Sequence, residues 1–345
     1  MLDDLKLIHE RDAQDALGIA EKQWQQLDYD FNLPDLNFGV ADIDNVVFAG
    51  MGGSALGALL SVTWPGYSVP FEISRDYKIP KYVDPKTLFF ASSYSGNTEE
   101  TIEALNQAEK TGAKIVIIAS GGKLTEIAGQ KGYPIAILPQ VTQPRYATLY
   151  SFKALCSWLI KAGLLDEEFA NAEINKAVKS IKQSTAGWRP DVATGQNYAK
   201  QIAQEVIGKS AVIYGGPLMY PAAYKWKISF NENAKNIAWC NQYPEFNHNE
   251  FLGWTSHPQE KLYAVIDLRS NLEHPQVQKR FEVSERLLSG RRPAPIVVQT
   301  QGETLLEQML WAVALGDFVT LYTAILNGLN PTPVDLIEKF KKELV

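Results

Sequence analysis

Cysteine and histidine are scarce in this 345-residue sequence, and neither a basic run nor a long apolar run stands out. The two cysteines, Cys156 and Cys240, have neither metal-ligand spacing nor the density of a disulfide scaffold, so we expect a reducing compartment. A net charge of −6 gives no electrostatic footprint for nucleic acid or for an acidic membrane. No run approaches the roughly 18 apolar residues of a membrane-spanning helix, and the charged N-terminus lacks the apolar centre of a signal peptide. We therefore expect a cytoplasmic protein with neither a nucleic-acid nor a membrane partner.

The stretch around residue 90 has the strongest local pattern. An apolar strand is followed by a turn that contains Ser93, Ser95 and Thr98, and then by a helix whose apolar residues recur at helical spacing. The first backbone N–H groups of a helix are unpaired and lie at the positive end of its dipole, and the three hydroxyls add side-chain donors. This pattern predicts an anion site whose ligand is a phosphate monoester.

A simpler interpretation of the same stretch stays open at this point. Ser95 or Asn97 would only cap the N-terminus of the helix, and Glu99 and Glu100 would complement its dipole. Under this interpretation the hydroxyls bind no ligand.

A second loop of the phosphate-binding type follows the strand predicted over residues 45–49. Gly50, Gly52 and Ala55 match the dinucleotide fingerprint G-x-G-x-x-G/A, and Glu72 or Asp76 lies near the distance at which an acid would bind ribose. This match favours a nicotinamide cofactor.

The same loop also suits a single phosphate group. Ser54 directly follows Gly53 at the predicted start of the helix, where a hydroxyl can bind one phosphate. Two phosphate-type loops at neighbouring strand ends fit a sugar phosphate that binds in one crevice.

Strands alternate with helices through residues 35–155, with further buried strands predicted over 114–119 and 133–138. This alternation predicts a doubly wound parallel α/β sheet, in which right-handed crossovers place the glycine and serine loops at the same, carboxyl edge. Arg145 follows a proline at this edge and precedes an apolar helix. Most arginines are solvated surface charges, but one at this position is a candidate anion clamp.

The pattern restarts after a polar helical stretch. Residues 210–217 predict another strand and glycine turn, and they are followed by a helix over 220–234, strands over 261–268 and 295–299, and a long apolar helix over 305–326. The two halves therefore resemble a distant internal duplication. We expect five segments: an N-terminal helical segment (1–34), a first α/β domain (35–160), a helical connection (161–204), a second α/β domain (205–330) and a C-terminal helix (331–345).

The second half lacks hydroxyl-rich loops but contains the acid–base candidates. Glu232 lies toward the end of a predicted helix, and His248 follows it as one of only 4 histidines. Each has an ordinary alternative, as an exposed helix-end carboxylate and as a loop histidine with a structural hydrogen bond. A metal site built from His248, Glu245 and Glu250 is disfavoured, because these residues lack a compact ligand motif such as H-E-x-x-H.

In combination, the motifs resemble those of a known family. Gly-Met-Gly-Gly-Ser at 50–54, Ser-Tyr-Ser-Gly-Asn-Thr at 93–98, Pro-Arg at 144–145, Asn-Glu-Asn-Ala-Lys at 231–235 and Asn-His-Asn at 247–249 occur in this order. They are similar to the motifs of the bifunctional phosphoglucose/phosphomannose isomerases, which are built from two sugar-isomerase (SIS) domains. The serine loop alone would indicate only an SIS domain, which amidotransferases and sugar-phosphate-responsive regulators share. The two motifs of the second half are more specific.

The resemblance implies two SIS-type doubly wound parallel-sheet domains with flanking helices, and it implies roles for single residues. The active-site arginine would be Arg145, the base Glu232 and the ring-opening histidine His248, which this family contributes from the neighbouring subunit of a homodimer. The implied phosphate-binding residues are Gly53, Ser54, Ser93, Ser95 and Thr98.

The family also uses a lysine on its C-terminal helix. Lys341 is the match by distance from the C-terminus, and Lys339 is the alternative. Val334 stands at the ungapped position of a threonine that some relatives place in the sugar site, while Thr332 lies two residues away.

The implied activity is aldose–ketose isomerisation, in which glucose 6-phosphate and mannose 6-phosphate interconvert with fructose 6-phosphate through a cis-enediol. A carboxylate such as Glu232 can transfer the C2 proton to C1, Arg145 can stabilise the enediolate, and His248 with the lysine can open the sugar ring. This chemistry needs neither a cofactor nor a metal. Two alternatives stay open, a non-catalytic SIS-type sensor of sugar phosphates and a nicotinamide-dependent dehydrogenase, as does the preference for glucose or mannose.

Overall fold

The computed structural model describes residues 1–256 and 262–343, and the chain forms two compact units. The first unit comprises residues 23–178, and the second unit comprises residues 1–22 together with those from 179 onward. The helices in chain order are α1 (Leu5–Arg11), α2 (Ala16–Glu21), α3 (Trp24–Leu27), α4 (Leu56–Ser61), α5 (Glu99–Thr111), α6 (Gly122–Lys131), α7 (Thr148–Lys161), α8 (Glu167–Ala186), α9 (Tyr198–Val206), α10 (Tyr220–Glu232), α11 (Glu250–Gly253), α12 (Pro275–Leu287), α13 (Leu305–Leu326) and α14 (Asp335–Glu343). The strands are β1 (Asn45–Gly50), β2 (Phe71–Ser74), β3 (Thr87–Ser93), β4 (Lys114–Ala119), β5 (Ile135–Ile137), β6 (Ser210–Gly215), β7 (Ala238–Gln242), β8 (Tyr263–Arg269) and β9 (Ile296–Gln299).

The sheet of the first unit is parallel throughout, in the order β2-β1-β3-β4-β5. Its central strand β3 is buried along its whole length, as a strand covered on both faces by helices should be. Gly50 at the end of β1 pairs in register with Ser92 near the end of β3. The loops that follow these two strands therefore begin side by side at the carboxyl edge.

The sheet of the second unit is also parallel, in the order β7-β6-β8-β9. This is the order of the first sheet without its last strand. The two parallel-sheet α/β domains predicted from the sequence are thus confirmed, and their shared strand order is what an internal duplication predicts. The sequence analysis did not predict β7, a short strand at the sheet edge with an exposed tryptophan, Trp239.

The central element of the second unit is the 22-residue helix α13. A capping box starts it, since the Thr304 hydroxyl accepts from the Glu307 N–H at 3.4 Å and the Glu307 carboxylate accepts from the Thr304 N–H at 3.0 Å. Its length and mean hydropathy of 1.7 are those of a membrane span, so the expectation that no segment has such character was wrong for α13. Within the fold, however, 94% of the most apolar 18-residue stretch of α13 is buried, as in a core helix.

A buried polar network joins α13 to α10. The Lys225 ammonium pairs with the Asp317 carboxylate and donates to the Ser229 hydroxyl at 2.8 Å, which in turn donates to Asp317 at 3.0 Å. Lys225 is only 1% exposed. Because each member of this network has a partner, the two charges are tolerated in the core and fix how the two helices align.

We expect Lys225→Met to lower the free energy of unfolding by about 3 kcal/mol, because the substitution leaves the Asp317 charge buried without its partner. Denaturant unfolding followed by tryptophan fluorescence measures the change. The double variant Lys225→Met/Asp317→Leu removes both charges and should recover most of the loss. Equal stability of the single variant and the parent protein would contradict this account of the network.

Candidate functional site

Three hydroxyls converge in the loop between β3 and α5. The Ser93 hydroxyl lies 2.7 Å from that of Thr98 and 3.4 Å from that of Ser95, and it accepts the Gly96 N–H at 3.1 Å. Ser93 is fully buried, whereas Ser95 is exposed. The cluster thus extends from the end of the strand to the surface at the N-terminus of α5, where backbone N–H groups favour an anion.

The capping interpretation of this loop is wrong. The N-cap residue of α5 is Thr98, and its side chain makes no capping hydrogen bond within the described structure. Asn97 instead accepts the Lys123 N–H at 3.0 Å and so serves the start of α6. The hydroxyl cluster therefore does not serve to cap α5.

The neighbouring loop, between β1 and α4, approaches the cluster through Ser54. Its hydroxyl accepts the Tyr94 N–H at 2.8 Å, which leaves its own proton available to donate to a ligand. Gly53 lies against the backbone before α7, where a Cβ atom would come within 3.1 Å of the Arg145 nitrogen. Only glycine fits this approach without a shift of the loop, so Gly53 brings the β1 loop close to Arg145.

Arg145 lies in the 3₁₀ turn Pro144–Ala147 and is 1% exposed. Its guanidinium donates to the Tyr146 hydroxyl at 3.3 Å and lies 4.6 Å from the centroid of the same ring. The planar guanidinium carries five N–H donors in a fixed arrangement, which matches the geometry of a carboxylate or a phosphate. The first unit thus brings Arg145 to the edge that carries Gly53, Ser54 and the hydroxyl cluster.

In the second unit, Glu232 is the last residue of α10 and is half-buried. The turn that follows lies beside the amino end of β6, since the Asn236 amide donates to the Lys209 carbonyl at 2.8 Å. The Lys235 ammonium donates to the carbonyls of Asn330 at 2.9 Å and Pro331 at 2.7 Å. Glu232 therefore lies at the amino edge of the sheet, near the segment that leads into α14.

His248 lies at the other edge of this sheet. It ends the 3₁₀ turn Glu245–His248, which follows β7, and its side chain is exposed. The Tyr243 N–H donates to the carbonyl of Gly215, the last residue of β6, at 2.9 Å. Since β6 rises about 3.3 Å per residue, its length places roughly 16 Å between the Glu232 and His248 edges. The second unit therefore does not bring these two candidates together.

The C-terminal candidates lie on or just before α14. Lys341 belongs to this helix, but its side chain is outside the part of the chain that the structure describes, and Lys339 is exposed. Thr332 is buried at 4% exposure, and its N–H donates to the Asn330 side chain at 3.0 Å, whereas Val334 is half-buried. Because Lys235 binds the carbonyls of residues 330 and 331, this segment shares the amino edge with Glu232.

The two carboxylates that flank His248, Glu245 and Glu250, accept hydrogen bonds from other side chains of the protein. Glu250 accepts from the Tyr214 hydroxyl and from the Asn241 amide at 2.7 Å, and Glu245 accepts from the Asn249 amide at 2.5 Å. Within residues 1–256 and 262–343, no group of three or more histidine, cysteine or acidic side chains is arranged to hold a metal ion.

The dinucleotide interpretation also lacks its expected context. The strand order of the first sheet is not the 3-2-1-4-5-6 order of the dinucleotide-binding fold. Glu72, one proposed ribose ligand, accepts the Tyr82 hydroxyl at 2.6 Å on the edge strand β2. The glycine loop after β1 therefore fits a single phosphate better than a nicotinamide cofactor.

One of the buried acids, Glu273, has a position that the sequence analysis did not single out. Its carboxylate accepts the N–H groups of Leu218 at 2.9 Å and Met219 at 3.2 Å, just before α10. A Cβ atom on Gly216 would fall 2.3 Å from this carboxylate, so only glycine admits it. The loop between β6 and α10 corresponds to the glycine loop between β1 and α4 in the first unit. In the second unit, the Glu273 carboxylate of the protein itself binds the N–H groups of this loop.

Burial raises the pKa of Glu273 to about 7, although the two N–H donors partly oppose the shift. The folded protein thus holds this proton between pH 4.5 and about 7, where the unfolded chain has lost it. The associated stability is complete below pH 4.5 and is lost as the pH rises through 7.

We expect Glu273→Gln, which cannot ionise, to flatten the pH dependence of stability across this window. At pH 8 the variant should be the more stable protein, by on the order of 1 kcal/mol. Urea unfolding at several pH values between 4.5 and 8 measures the effect, and the exposed acid Glu282 provides a matched Glu→Gln control. Parallel pH profiles for Glu273→Gln and the parent protein would contradict the assignment.

Two parallel sheets that share a strand order, one of which carries a cluster of hydroxyls beside a buried arginine, are typical of the class of proteins with two SIS domains. Comparison with known families agrees. Residues 41–157 match the SIS domain, and residues 195–344 match the bacterial phospho-glucose isomerase C-terminal SIS domain.

Among individual proteins, the chain is 37% identical over 314 residues to a bifunctional phosphoglucose/phosphomannose isomerase from Caldicellulosiruptor bescii, a match that covers 90% of this chain and 92% of the relative. It is 35% identical over 230 residues to a D-glucosamine-6-phosphate 4-epimerase from Sulfolobus acidocaldarius, with 66% of this chain and 70% of the relative covered. The fold is similar to that of a glucose-6-phosphate isomerase like protein from Thermus thermophilus, with a TM-score of 0.66, 17% identity and coverage of 99% and 98%. The chain belongs to the bifunctional phosphoglucose/phosphomannose isomerase family.

Proposed function

We propose that this protein interconverts glucose 6-phosphate and mannose 6-phosphate with fructose 6-phosphate. The observation that carries the proposal is the hydroxyl cluster of Ser93, Ser95 and Thr98, which lies with Ser54 at neighbouring strand ends in a member of this isomerase family. A phosphate monoester accepts several hydrogen bonds at once, and these hydroxyls with the N-terminus of α5 supply the donors.

Binding of the phosphate positions the sugar for proton transfer. Glu232 removes the proton from C2 as a general base and returns it to C1, so that a cis-enediol forms and collapses to the ketose. Arg145 stabilises the negative charge that develops on the enediolate oxygens, because its guanidinium stays protonated. The proton moves within one substrate, and the overall reaction needs no external oxidant or reductant.

Hexose phosphates arrive as closed rings, which must open before C2 becomes acidic. In the proposal, His248 and the C-terminal lysine, Lys341 or Lys339, exchange the protons of ring opening. Glucose 6-phosphate and mannose 6-phosphate differ only at C2 and give the same enediol. One base can therefore serve both sugars if the bound intermediate can rotate about C2–C3.

We further propose that the enzyme is a homodimer in which His248 completes the site of the neighbouring subunit. The support comes from the second unit, where Glu232 and His248 lie at opposite edges of one sheet. A histidine that cannot reach the base of its own chain can still act in a second copy.

The free thiols of Cys156 and Cys240 fit a reducing compartment, and we propose the cytoplasm.

We expect Glu232→Gln to reduce kcat for both aldose phosphates by at least about a hundredfold, because the amide cannot accept the C2 proton. Formation of fructose 6-phosphate from each sugar, without added metal or nucleotide, measures the loss. Glu282→Gln is the matched control, since Glu282 is an exposed carboxylate on α12.

Each other outcome identifies a different function. Tight binding of the sugars without conversion by the parent protein would favour a non-catalytic sensor. Conversion of glucosamine 6-phosphate at C4, with no ketose formed, would favour the chemistry named for the Sulfolobus acidocaldarius relative. Full activity of Glu232→Gln would show that another group is the base.

We expect inactive Glu232→Gln and inactive His248→Gln proteins to restore each other when their subunits are exchanged. Random pairing gives mixed dimers with one intact site, for about a quarter of the parent activity. Mild denaturation and refolding of the mixture, followed by the fructose 6-phosphate assay, measures the recovery. A mixture that stays inactive, although an affinity tag on one variant co-purifies the untagged variant as mixed dimers, would place His248 in the site of its own chain.

A further inference from the structure

The side chain of Arg292 is enclosed by aromatic rings in the second unit. Its guanidinium carbon lies 5.5 Å from the ring centroid of Tyr214, 5.7 Å from that of Phe246 and 5.9 Å from that of Trp254. The residue is only 8% exposed. The faces of aromatic rings attract a cation, so three rings can retain a buried guanidinium.

Among residues 1–256 and 262–343, no side chain forms a direct ion pair with Arg292, and all three of its guanidinium nitrogens are buried without a hydrogen-bond partner. A counter-charge that acts on it electrostatically is Asp267, a fully buried residue of β8 whose carboxylate binds Arg269 at 3.0 Å. Burial of a charged side chain without a hydrogen-bond partner costs free energy. The cation–π contacts with the three rings offset part of this cost.

Two of the three rings around Arg292, Phe246 and Trp254, belong to the segment that carries His248, and the third, Tyr214, lies in β6. Phe246 lies in the same 3₁₀ turn as His248 and is fully buried, and its ring centroid is 4.6 Å from that of Tyr214, with the two ring planes tilted by 55°. On the other side of His248, the Glu250 carboxylate accepts the Tyr214 hydroxyl, which also accepts the Trp254 indole N–H at 3.2 Å. His248 is therefore exposed between Phe246, which is one of the rings around Arg292, and Glu250, which binds another of them, Tyr214.

We propose that Arg292 is a positioning residue, which holds the His248 turn in place through Tyr214, Phe246 and Trp254. The inference deepens the proposed function and rests on it for the role of His248. A planar guanidinium contacts several ring faces at once, whereas an ammonium is a compact, strongly hydrated charge and an apolar side chain lacks the attraction altogether. Arginine is thus the side chain that can tie three rings from separate parts of the chain to one point.

The test compares Arg292→Met, which keeps length and removes charge, with Arg292→Lys, which keeps charge and loses the planar group. Arg291→Met is the matched control, because Arg291 is the adjacent residue and is exposed. Two quantities are measured: the kinetics of fructose 6-phosphate formation, and the NMR signal of the His248 imidazole in histidine-labelled protein, assigned with His248→Gln. His9 and His274 serve as internal references.

We expect Arg292→Met to shift and broaden the His248 signal, to leave the reference signals unchanged, and to lower kcat by roughly tenfold to a hundredfold with little change in KM. Arg292→Lys should fall between this variant and the parent protein, and Arg291→Met should match the parent. A folded Arg292→Met protein with an unchanged His248 signal and unchanged kcat would overturn the proposal.

Two further measurements cover the cases in which the main comparison cannot be made. If Arg292→Met does not fold, Phe246→Leu removes the ring of the His248 turn that lies beside Arg292, and the same two quantities are measured. If the parent protein forms no fructose 6-phosphate, the proposed function fails on its own, while the NMR signal still reports whether Arg292 positions His248.

Discussion

The parallel pairing of β1 with β3 is the constraint on which the candidate site depends. Because Gly50 and Ser92 are in register, the loops after both strands start from the same edge. Ser54 can then accept the Tyr94 N–H, and the hydroxyls of Ser93 and Thr98 meet below the N-terminus of α5. Parallel strands also require helical crossovers, and each crossover supplies a helix N-terminus at this edge. The meeting of these loops and hydroxyls at one edge is therefore a consequence of the topology.

The second sheet repeats the topology and uses the same edge differently. Its first loop offers backbone N–H groups just before α10, but the Glu273 carboxylate already accepts them. The internal carboxylate satisfies donors that would otherwise be buried without a partner. The two halves therefore differ at this loop: the first unit has the Ser54 hydroxyl there, and the second unit has the Glu273 carboxylate.

Much of the fold was predictable because its central strands are short apolar runs with glycine or serine directly after them. The bounds of β4 (Lys114–Ala119), β6 (Ser210–Gly215) and α13 (Leu305–Leu326) agree with the sequence pattern. The edge strand β7 was missed because it has one neighbour and only its first residue, Ala238, is buried, which leaves a weak apolar signal. Glu273 and Arg292 were missed for a different reason. Their significance comes from what they contact, and an isolated Glu or Arg in a sequence indicates a solvated surface.

The missed edge strand also concealed the separation of Glu232 from His248. A crossover helix runs back toward the amino edge of a parallel sheet, so a residue at its C-terminus lies at that edge, whereas a residue in the loop after the next strand lies at the carboxyl edge. Without β7, the fifteen residues between Glu232 and His248 look like one loop that could bring them together. With β7 in place, the same residues contain a complete strand and carry His248 across the sheet. Within one copy of the second unit, a crossover helix followed by a single strand is therefore enough to place the end of α10 and the His248 turn at opposite edges of the same sheet.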